Sequence, residues 1–376
     1  MKPDPPPSLP PPPSRAEGAR LDRLRSAITE VGLDVLIVTH LANVRYLTGF
    51  TGTAALVLVG RREARLISDF RYKTQAAEEV SEAVRVEIVA REPWGGVLRA
   101  LQKMDGIADV GFESEWVTAS EAARLTRDGT DGMRFKPTTQ VVEKLRAVKE
   151  STEVAAISAA AELASEAFEA VLETVRVGQK EIDIATLLER ELRVRGSEWH
   201  PFPTIVASGP RSALPHACTT DRMVESGEWL LLDFGAQVDG YCADITRTVV
   251  VGERADERQR GIYELVREAQ TQAIAGMRPG MTGREIDALA RTVIDDGGYG
   301  EAFGHSLGHG LGLEVHEGPR LGSSNDEPVP ANAVVTVEPG IYLPGWGGVR
   351  IEDDVRLTVD GAVVLSDGNT ELREVG

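Results

Sequence analysis

The sequence predicts two domains: an α/β layer domain, then a domain built from two related half-units. Three observations predict this. The chain has 376 residues, more than one hydrophobic core usually serves. Short apolar runs alternate with amphipathic stretches as far as about Phe135. Beyond that point, a pair of helices followed by glycine-rich strands occurs twice. The repeat shows even in letters: Gly178 precedes Glu181–Ile182–Asp183, and Gly280 precedes Glu285–Ile286–Asp287. The competing explanation is chance similarity between two helical hairpins.

Taken in order, Met1 to Pro13 is proline-rich, which favours an extended, solvated tail. A docking peptide for a proline-reading module is the alternative to a dispensable segment. Glu17 to Val31 is expected to be helical, with Leu21, Leu24 and Ile28 on one face. Asp34–Thr39 reads as a buried strand, followed by the segment Asn43–Phe50. A strand at Ala54–Val59, a turn at Gly60–Arg62 and a strand through Ile67 come next. Lys136–Thr139, with its proline, is the expected boundary. The expected divisions are therefore a disordered tail over 1–16, an α/β domain over 17–137 and a second domain over 138–376.

In the second domain, Val154, Ile157, Ala161, Ala164, Phe168, Val171 and Val175 step by three and four, as one helix face does. Gly178 ends that helix. Ile182, Ala185, Leu188 and Leu192 mark the next, which stops near Gly196. A third helix starts at about Glu257 and ends before Pro279–Gly280. Thr282 and Glu285 form a capping-box pattern that opens the fourth.

Composition excludes some functions. With 41 basic and 59 acidic residues the net charge is −18, which argues against nucleic acid or an anionic membrane as partner. No apolar run is long enough to span a bilayer, and the N-terminus lacks the apolar core of a secretory signal. The two cysteines, Cys218 and Cys242, imply no disulfide framework. They are expected to be small buried thiols in a reducing cytoplasm.

The chemistry lies in the last third. Asp233, Asp244, His309, Glu338 and Glu352 each sit in a short segment punctuated by glycine or proline. Carboxylates and an imidazole form a hard donor set, suited to divalent Mn, Co, Fe or Zn rather than a thiolate-bound zinc. So many acids would repel strongly unless cations neutralised them. Leu230–Ala236 and Tyr241–Val250 are strand-like, with Asp239–Gly240 as a hairpin turn between them. If the loop centres on Asp239–Gly240, Asp233 and Asp244 are same-face diagonal neighbours. If it centres one residue earlier, they stand directly opposite. Their Cβ atoms would then be about 5–8 Å apart. Arg247 is the only obvious adjacent cation. The bland alternative is a pair of exposed strand acids, but an acid inside the apolar run LLLDFGA is costly to bury without a partner.

Gly304–Pro319 holds His305, His309 and His316, half of the six histidines. Its glycines disfavour a helix by about 1 kcal/mol each. A tight loop feeding a strand at Leu313–His316 is expected. Histidines so clustered are better explained as lining a site than as isolated structural residues. Val334–Gly340 and Gly348–Leu357 form a second strand pair around Pro344–Gly345. Glu352 and Arg350 share a face, so Arg350 is placed to hold a metal-binding carboxylate. Of Asp353 and Asp354, one is expected to support the site and one to be solvated. His216, which ends the segment Ser208–His216, reads by itself as a surface-loop residue.

The set DFGAQVDGYCADITRT, HSLGHGLGLEVHE, VTVEPGIYLPG and GGVRIEDD resembles the pita-bread metallopeptidases, in particular the Xaa-Pro peptidases aminopeptidase P and prolidase. YLTGF and SGPRSALPH add to the resemblance, which runs from about residue 17 to 376. It implies an α+β fold in which a duplicated pita-bread catalytic domain follows a smaller creatinase-like α/β domain, often as a homodimer. It implies that Asp233, Asp244, His309, Glu338 and Glu352 bind two divalent ions, with manganese foremost, and that Asp244 and Glu352 bridge them. It makes His216, His305 and His316 the histidines that hold substrate and the tetrahedral intermediate, and Arg350 the site arginine. The implied reaction is attack by a hydroxide bridging the metals on the carbonyl before proline. Glu338 would carry the proton, and His305 or His316 would donate to the oxyanion.

Alternatives remain open within this resemblance. Methionine aminopeptidase uses a similar ligand set but usually lacks the preceding domain. Creatine-type C–N hydrolysis uses the scaffold without metals. A non-catalytic binding protein on this fold would typically have lost ligands. An aminopeptidase that also takes dipeptides is preferred over a strict dipeptidase. The latter must grip a proline carboxylate, and Arg320 is placed by sequence to do so.

Overall fold

The computed structural model describes residues 16–376 except 91, 105, 130, 131, 367 and 368. The proline-rich tail lies outside the described residues, apart from Ala16, which already begins the first helix. Backbone packing divides the chain into compact units Met1–Arg146 and Ala147–Gly376. The boundary expected at 137/138 is therefore too early. Pro137 lies in a strand at the edge of the first sheet, where a missing N–H is tolerated.

The first unit runs α1 (Ala16–Glu30), β1 (Val35–Val38), α2 (Leu41–Thr48), β2 (Ala55–Gly60), β3 (Ala64–Asp69), α3 (Lys73–Glu79), β4 (Arg85–Val89), α4 (Pro93–Gln102), β5 (Asp109–Glu113), α5 (Ala119–Asp128), β6 (Arg134–Thr138) and α6 (Glu143–Arg146). Its sheet has the order β4-β3-β2-β1-β5-β6. Strands β1, β2 and β3 pair antiparallel, and the outer pairs are parallel. Leu21, Leu24 and Ile28 of α1 are fully buried, as their spacing predicts.

The second unit opens with α7 (Ser151–Leu172) and α8 (Glu181–Arg195), then β7 (Ile205–Ser208), β8 (Trp229–Phe234), β9 (Gln237–Val238), β10 (Tyr241–Cys242) and β11 (Ile245–Val251). Its other half is α9 (Glu257–Gly276), α10 (Gly283–Asp296), β12 (Gly308–Gly310), β13 (Glu317–Leu321), β14 (Val334–Val337), β15 (Gly340–Leu343), β16 (Gly347–Arg350), β17 (Asp353–Thr358) and β18 (Gly361–Val364). The last strand, β19 (Arg373–Val375), returns to pair in parallel with β11. The helix starts are chemically specified. Asp256 with Gln259, and Thr282 with Glu285, make complete capping boxes on α9 and α10. Gly196 ends α8 in the left-handed region, at φ 113°, where a side chain would be strained.

Each helix pair covers its own sheet. α7 and α8 bury Ala164, Phe168, Ile184 and Leu188 against β8 and β11, and Phe168 stacks on Phe234 at 5.3 Å. α9 and α10 bury Ile262, Val266, Ile286 and Ala290 against Val335, Val337, Val355 and Leu357. A fully buried side chain of this size contributes roughly 1.5–3 kcal/mol, so each half carries a core able to hold its strands rigidly. The two halves also match in topology. In each, a strand pair (β8 with β11, β14 with β17) continues past a break into a short ribbon (β9–β10, β15–β16). No helix among the described residues is long and apolar enough to cross a membrane.

Candidate active site

The four carboxylates stand at or beside the strand breaks. The ladder pairs Thr246 with Asp233 and Tyr241 with Val238, so the hairpin centres on Asp239–Gly240. Both turn residues have positive φ, 49° and 75°, the type I′ geometry that an Asp-Gly pair favours. Asp244 therefore lies diagonal to Asp233 on one face. In the other half Val337 pairs with Asp353 and Gly340 with Arg350, so Glu338 and Glu352 stand opposite one another. The strands expected to run unbroken through these residues are interrupted there. Proline at 339 cannot continue the ladder, and the N–H groups of Asp244 and Glu352 bond to the other half instead, to the Asp354 carboxylate and the Thr246 carbonyl.

The halves are stitched together at this point. Thr246 donates its hydroxyl to the Glu352 carboxylate at 2.5 Å, and the Glu352 N–H donates to the Thr246 carbonyl at 3.1 Å. Asp354 accepts the Asp244 N–H at 3.2 Å. Arg247 pairs with Asp353 at 2.7 Å, and Gln270 donates to the same carboxylate. Two expectations are corrected here. Asp353 and Asp354 are both buried, so neither is solvated. Arg247 serves Asp353 rather than Asp233 or Asp244, because its neighbour across the seam is the start of β17.

His309 is the middle residue of β12. Its N–H donates to Thr336, whose hydroxyl also reaches Glu338 at 3.3 Å. Its Nδ1 faces the Gly310 carbonyl at 3.1 Å, so the ring proton sits on Nδ1 and the Nε2 lone pair is left toward the acids. Nε2 lies 3.5 Å from Glu338 and 3.7 Å from Asp244. The strand expected at Leu313–His316 is not formed. Residues 311–316 are a bent loop, and the strand begins at Glu317. That loop folds His316 back onto His309, ring to ring at 4.3 Å.

Arg350 is buried and holds Asp233 rather than the nearer-in-sequence Glu352. Its Nη2 meets the Asp233 carboxylate at 2.5 Å, its Nε donates to Thr246 at 2.9 Å and its Nη1 donates to the Tyr342 hydroxyl at 3.0 Å. A guanidinium can only donate. The Tyr342 O–H must therefore point elsewhere, and His305 Nε2 is 2.8 Å away. His305 Nδ1 in turn donates to the Ser306 carbonyl at 2.8 Å. Both ring nitrogens of His305 are thus engaged, and its Nε2 is an acceptor. This geometry takes His305 out of the expected role of oxyanion donor and leaves His316 and His216, both exposed on the cavity, with free faces.

The electrostatics are those of a crowded acidic centre. Burial pushes the Asp244 and Glu352 carboxyls well up, and neighbouring carboxylates push them further. Burial also raises Asp233, opposed by Arg350, and raises Glu338 to about 7. Burial lowers His305 and His309 to about 4, so both are neutral near pH 7. Three groups of potential ligand atoms each lie within 4.8 Å: Asp233 with Asp244 and Glu352; His309 with Glu338 and Glu352; and Asp244 with His309 and His316. One oxygen on each of Asp233 and Asp244 is buried with no hydrogen-bond partner among the described residues. Orphaned buried carboxylate oxygens are costly. The donor set therefore fits hard divalent cations, which would satisfy those oxygens.

These residues form the floor of a cavity of about 880 Å³. His216, His305, His316, Arg320 and Arg350 line it, beside an apolar wall of Ile182, Ala185, Phe202 and Ile205. Arg320 is exposed and donates to Ser306 at 3.1 Å. Cys218, expected to be buried, is exposed and lines the same cavity, since it follows His216 in an open loop. Cys242 is buried. Sequence reasoning missed Tyr342, Thr246 and Thr336. Tyr342 had a usable signal: in a continuing ribbon it falls four residues after Glu338, on the same face.

Comparison with known proteins agrees with this geometry. Residues 155–359 match metallopeptidase family M24, and residues 20–148 match the creatinase/prolidase N-terminal domain. The Xaa-Pro dipeptidase of Pyrococcus furiosus is 36% identical over 94% of this chain and 99% of its own. The structure of an Xaa-Pro dipeptidase from Bacillus anthracis matches at TM-score 0.92 and 42% identity, covering 96% of this chain and all (100%) of that one. That of an X-Pro aminopeptidase from Thermotoga maritima matches at 0.86 and 38%, covering 93% and 100%. With both domains matched in order and the acid-and-histidine floor in place, the chain belongs to the M24 metallopeptidases, built as a creatinase-type N-terminal domain and a pita-bread catalytic domain.

Proposed function

We propose that this enzyme removes the residue preceding proline at the N-terminus of peptides, acting on Xaa-Pro dipeptides as well as longer chains. The observation that carries the reading is the convergence of Asp233, Asp244, His309, Glu338 and Glu352 beneath a cavity also lined by three other histidines. Asp244 and Glu352 each belong to two of the close ligand groups, which supports their being shared between two ions. Oxygen-rich donors with one imidazole favour manganese, with cobalt, zinc or iron as substitutes. Bound there, the ions would supply Lewis acidity toward the scissile carbonyl and toward the attacking water.

The protein's own groups account for the rest. Glu338, on the floor of the cavity, takes a proton from the water and returns it to the proline nitrogen. His316, across from His309, donates to the carbonyl oxygen as charge develops there. His216 steadies the substrate from the opposite loop. His305 and Tyr342 orient Arg350, which in turn fixes Asp233. Proline brings no N–H to the site, so a wall packing on the ring suffices to select it. The two free cysteines suit the reducing cytoplasm.

A cavity of about 880 Å³ lies toward the upper end of the roughly 300–1,000 Å³ of small-molecule sites. That favours room for residues beyond proline. Strict dipeptidase action is the second reading, favoured by Arg320 on the cavity wall, where a proline carboxylate would meet it. The test is release of alanine from Ala-Pro and from Ala-Pro-Ala-Ala with Mn added. Cleavage of both supports the proposal. Cleavage of Ala-Pro alone makes the enzyme a dipeptidase, and loss of that activity in Arg320→Ala would identify the anchor. Cleavage of neither, with metal bound, removes the Xaa-Pro assignment.

A further inference from the structure

The letters Glu-Ile-Asp recur in the opening turns of α8 and α10, yet the two glutamates are used differently. Glu285 caps its own helix through Thr282. Glu181 is fully buried, and its carboxylate binds two distant points of the chain. Oε1 accepts the Ser208 N–H at 2.8 Å and the Ser208 hydroxyl at 2.9 Å. Oε2 accepts the Thr220 N–H at 3.1 Å and the Thr220 hydroxyl at 2.7 Å. Arg211 Nε stands 3.2 and 3.1 Å from the two oxygens, and its Nη2 donates to the Cys218 carbonyl. The proposed chemistry uses none of these bonds.

One carboxylate thus gathers both ends of a loop. Residues 209–219 run out between Ser208 and Thr220, and Pro215, His216, Ala217, Cys218 and Thr219 line the cavity. The far side of the loop rests on the second half. There the Gly348 N–H donates to the Ser212 hydroxyl at 2.8 Å, and Arg350 Nη1 to the Pro215 carbonyl at 3.2 Å. The second half repeats the device. Asp287 of α10 accepts the Leu307 N–H at 3.0 Å and pairs with Arg291 at 2.7 Å. Arg291 in turn holds the Phe303 and His305 carbonyls, both at 2.8 Å. In each half, an acid of the second helix and an arginine pin the segment that carries site histidines.

The groups that meet Glu181 here, two backbone N–H groups, two hydroxyls and a guanidinium, all donate to it. Burial works against its charge, but the bonds from Thr220 and Ser208 and the nearby Arg211 outweigh burial and hold the carboxyl below its ordinary range. Glutamine has one acceptor oxygen and an NH₂ that only donates. Glu181→Gln must therefore set a donor against either the Ser208 or the Thr220 N–H, and neither backbone group can turn away. We infer that Glu181 is a positioning residue that closes the base of the 209–219 loop and so sets where His216 stands on the cavity. It is neither a cavity-lining residue nor a candidate ligand. The inference rests on the peptidase reading, in which His216 holds substrate, and adds to it a residue that acts only through the loop.

The test compares wild type, Glu181→Gln, His216→Ala and the double variant. Each is followed by kcat and KM on Ala-Pro, Mn²⁺ calorimetry of chelator-treated protein, thermal melting, and hydrogen exchange of peptides spanning 208–220. Glu181→Gln is expected to raise KM about 10-fold, the scale of a buried donor left unmatched, while kcat and Mn²⁺ affinity move less. Exchange over 208–220 should quicken about 10-fold or more while β8 keeps its protection, as in a local opening. Adding Glu181→Gln to His216→Ala should change KM by less than about 2-fold, because one effect runs through the other. If Glu181→Gln fails to fold, Thr220→Val, which removes one donor and keeps the side-chain shape, carries the same expectations at smaller size. Wild-type KM and exchange in a folded Glu181→Gln, with only the melting temperature lowered, would overturn the inference. So would KM losses that multiply in the double variant. If His216→Ala leaves KM unchanged, or wild type binds Mn²⁺ but cleaves neither peptide, the reading of the site fails instead. Exchange over 208–220 would then still decide whether Glu181 closes the loop.

Discussion

Arg350 and Asp233 meet at 2.5 Å across the seam between the two halves of the catalytic unit, one from β16 and the other from β8. Among the described residues neither forms a second ion pair. Removing the cation should therefore act on both halves at once. Arg350→Met is expected to cost about 3–5 kcal/mol, the range for breaking a buried pair, and to weaken metal binding. Arg350→Lys keeps the charge but not the fork of donors, so it should cost less and still reduce activity. Urea melts of chelated and Mn-loaded protein measure both effects. A Met variant as stable as wild type would show that the pair is not a joint.

Tyr342 links that joint to His305. Tyr342→Phe deletes one hydroxyl and leaves two partners, Arg350 Nη1 and His305 Nε2, without it. A loss of roughly 1–3 kcal/mol is expected from unsatisfied buried groups. His305 Nε2 should also lose its hydrogen bond while Nδ1 keeps its proton on the Ser306 carbonyl, a change at one nitrogen that nitrogen-edited NMR of the imidazole would report. An unchanged His305 spectrum in the Phe variant would remove Tyr342 from the chain of bonds.

Asp244 and Glu352 are the acids shared between ligand groups. Asp244→Ala or Glu352→Ala should abolish turnover and bound Mn together. Elemental analysis beside a peptide-release assay checks this. Full activity in either variant contradicts a shared role.

Metal binding should release protons below neutral pH. Burial raises Glu338 from 4.5 to about 7 in the folded, metal-free protein, so it holds a proton that a cation must displace. His309, lowered to about 4, has none to give near pH 6. Mn affinity should thus climb as pH rises through about 7. For stability without metal the sign is opposite. A raised carboxyl contributes fully below its unfolded value of 4.5, and that contribution is lost as pH rises through about 7. Calorimetry at pH 6 in buffers of different ionisation enthalpy counts the protons. Zero release would mean that Glu338 is already ionised.

Much of this arrangement was legible from residues alone. Periodicity located the helices of the catalytic unit to within a few residues, since each buries one stripe against its sheet. The Asp239–Gly240 turn admitted two registers, and the structure takes the diagonal one. What escaped was whatever depends on contact across the seam. Parity along one strand put Arg350 beside Glu352, but the guanidinium is long enough to cross to Asp233. Asp353 and Asp354 read as one buried and one solvated because neighbours on a strand face opposite sides; here both sides are interior. Lys136–Pro137 read as a linker because proline usually interrupts strands, and an edge strand is the exception. The resemblance offered His305 or His316 as oxyanion donor without choosing, because hydrogen-bond direction depends on Tyr342, which lies on another ribbon.

The hairpin between Asp233 and Asp244 has a consequence for how such a gene can change. Side chains alternate along a strand, so the facing of Asp244 depends on the number of residues in the connection rather than on their identity. Substitutions within 235–243 that spare Gly235 and the Asp239–Gly240 turn can accumulate while both acids still converge. An in-frame loss or gain of a single codon there would turn Asp244 away, silencing the enzyme with every ligand still present in the reading frame. Among descendants of this gene, then, a count of residues between the two aspartates separates active copies from inactive ones better than percentage identity does.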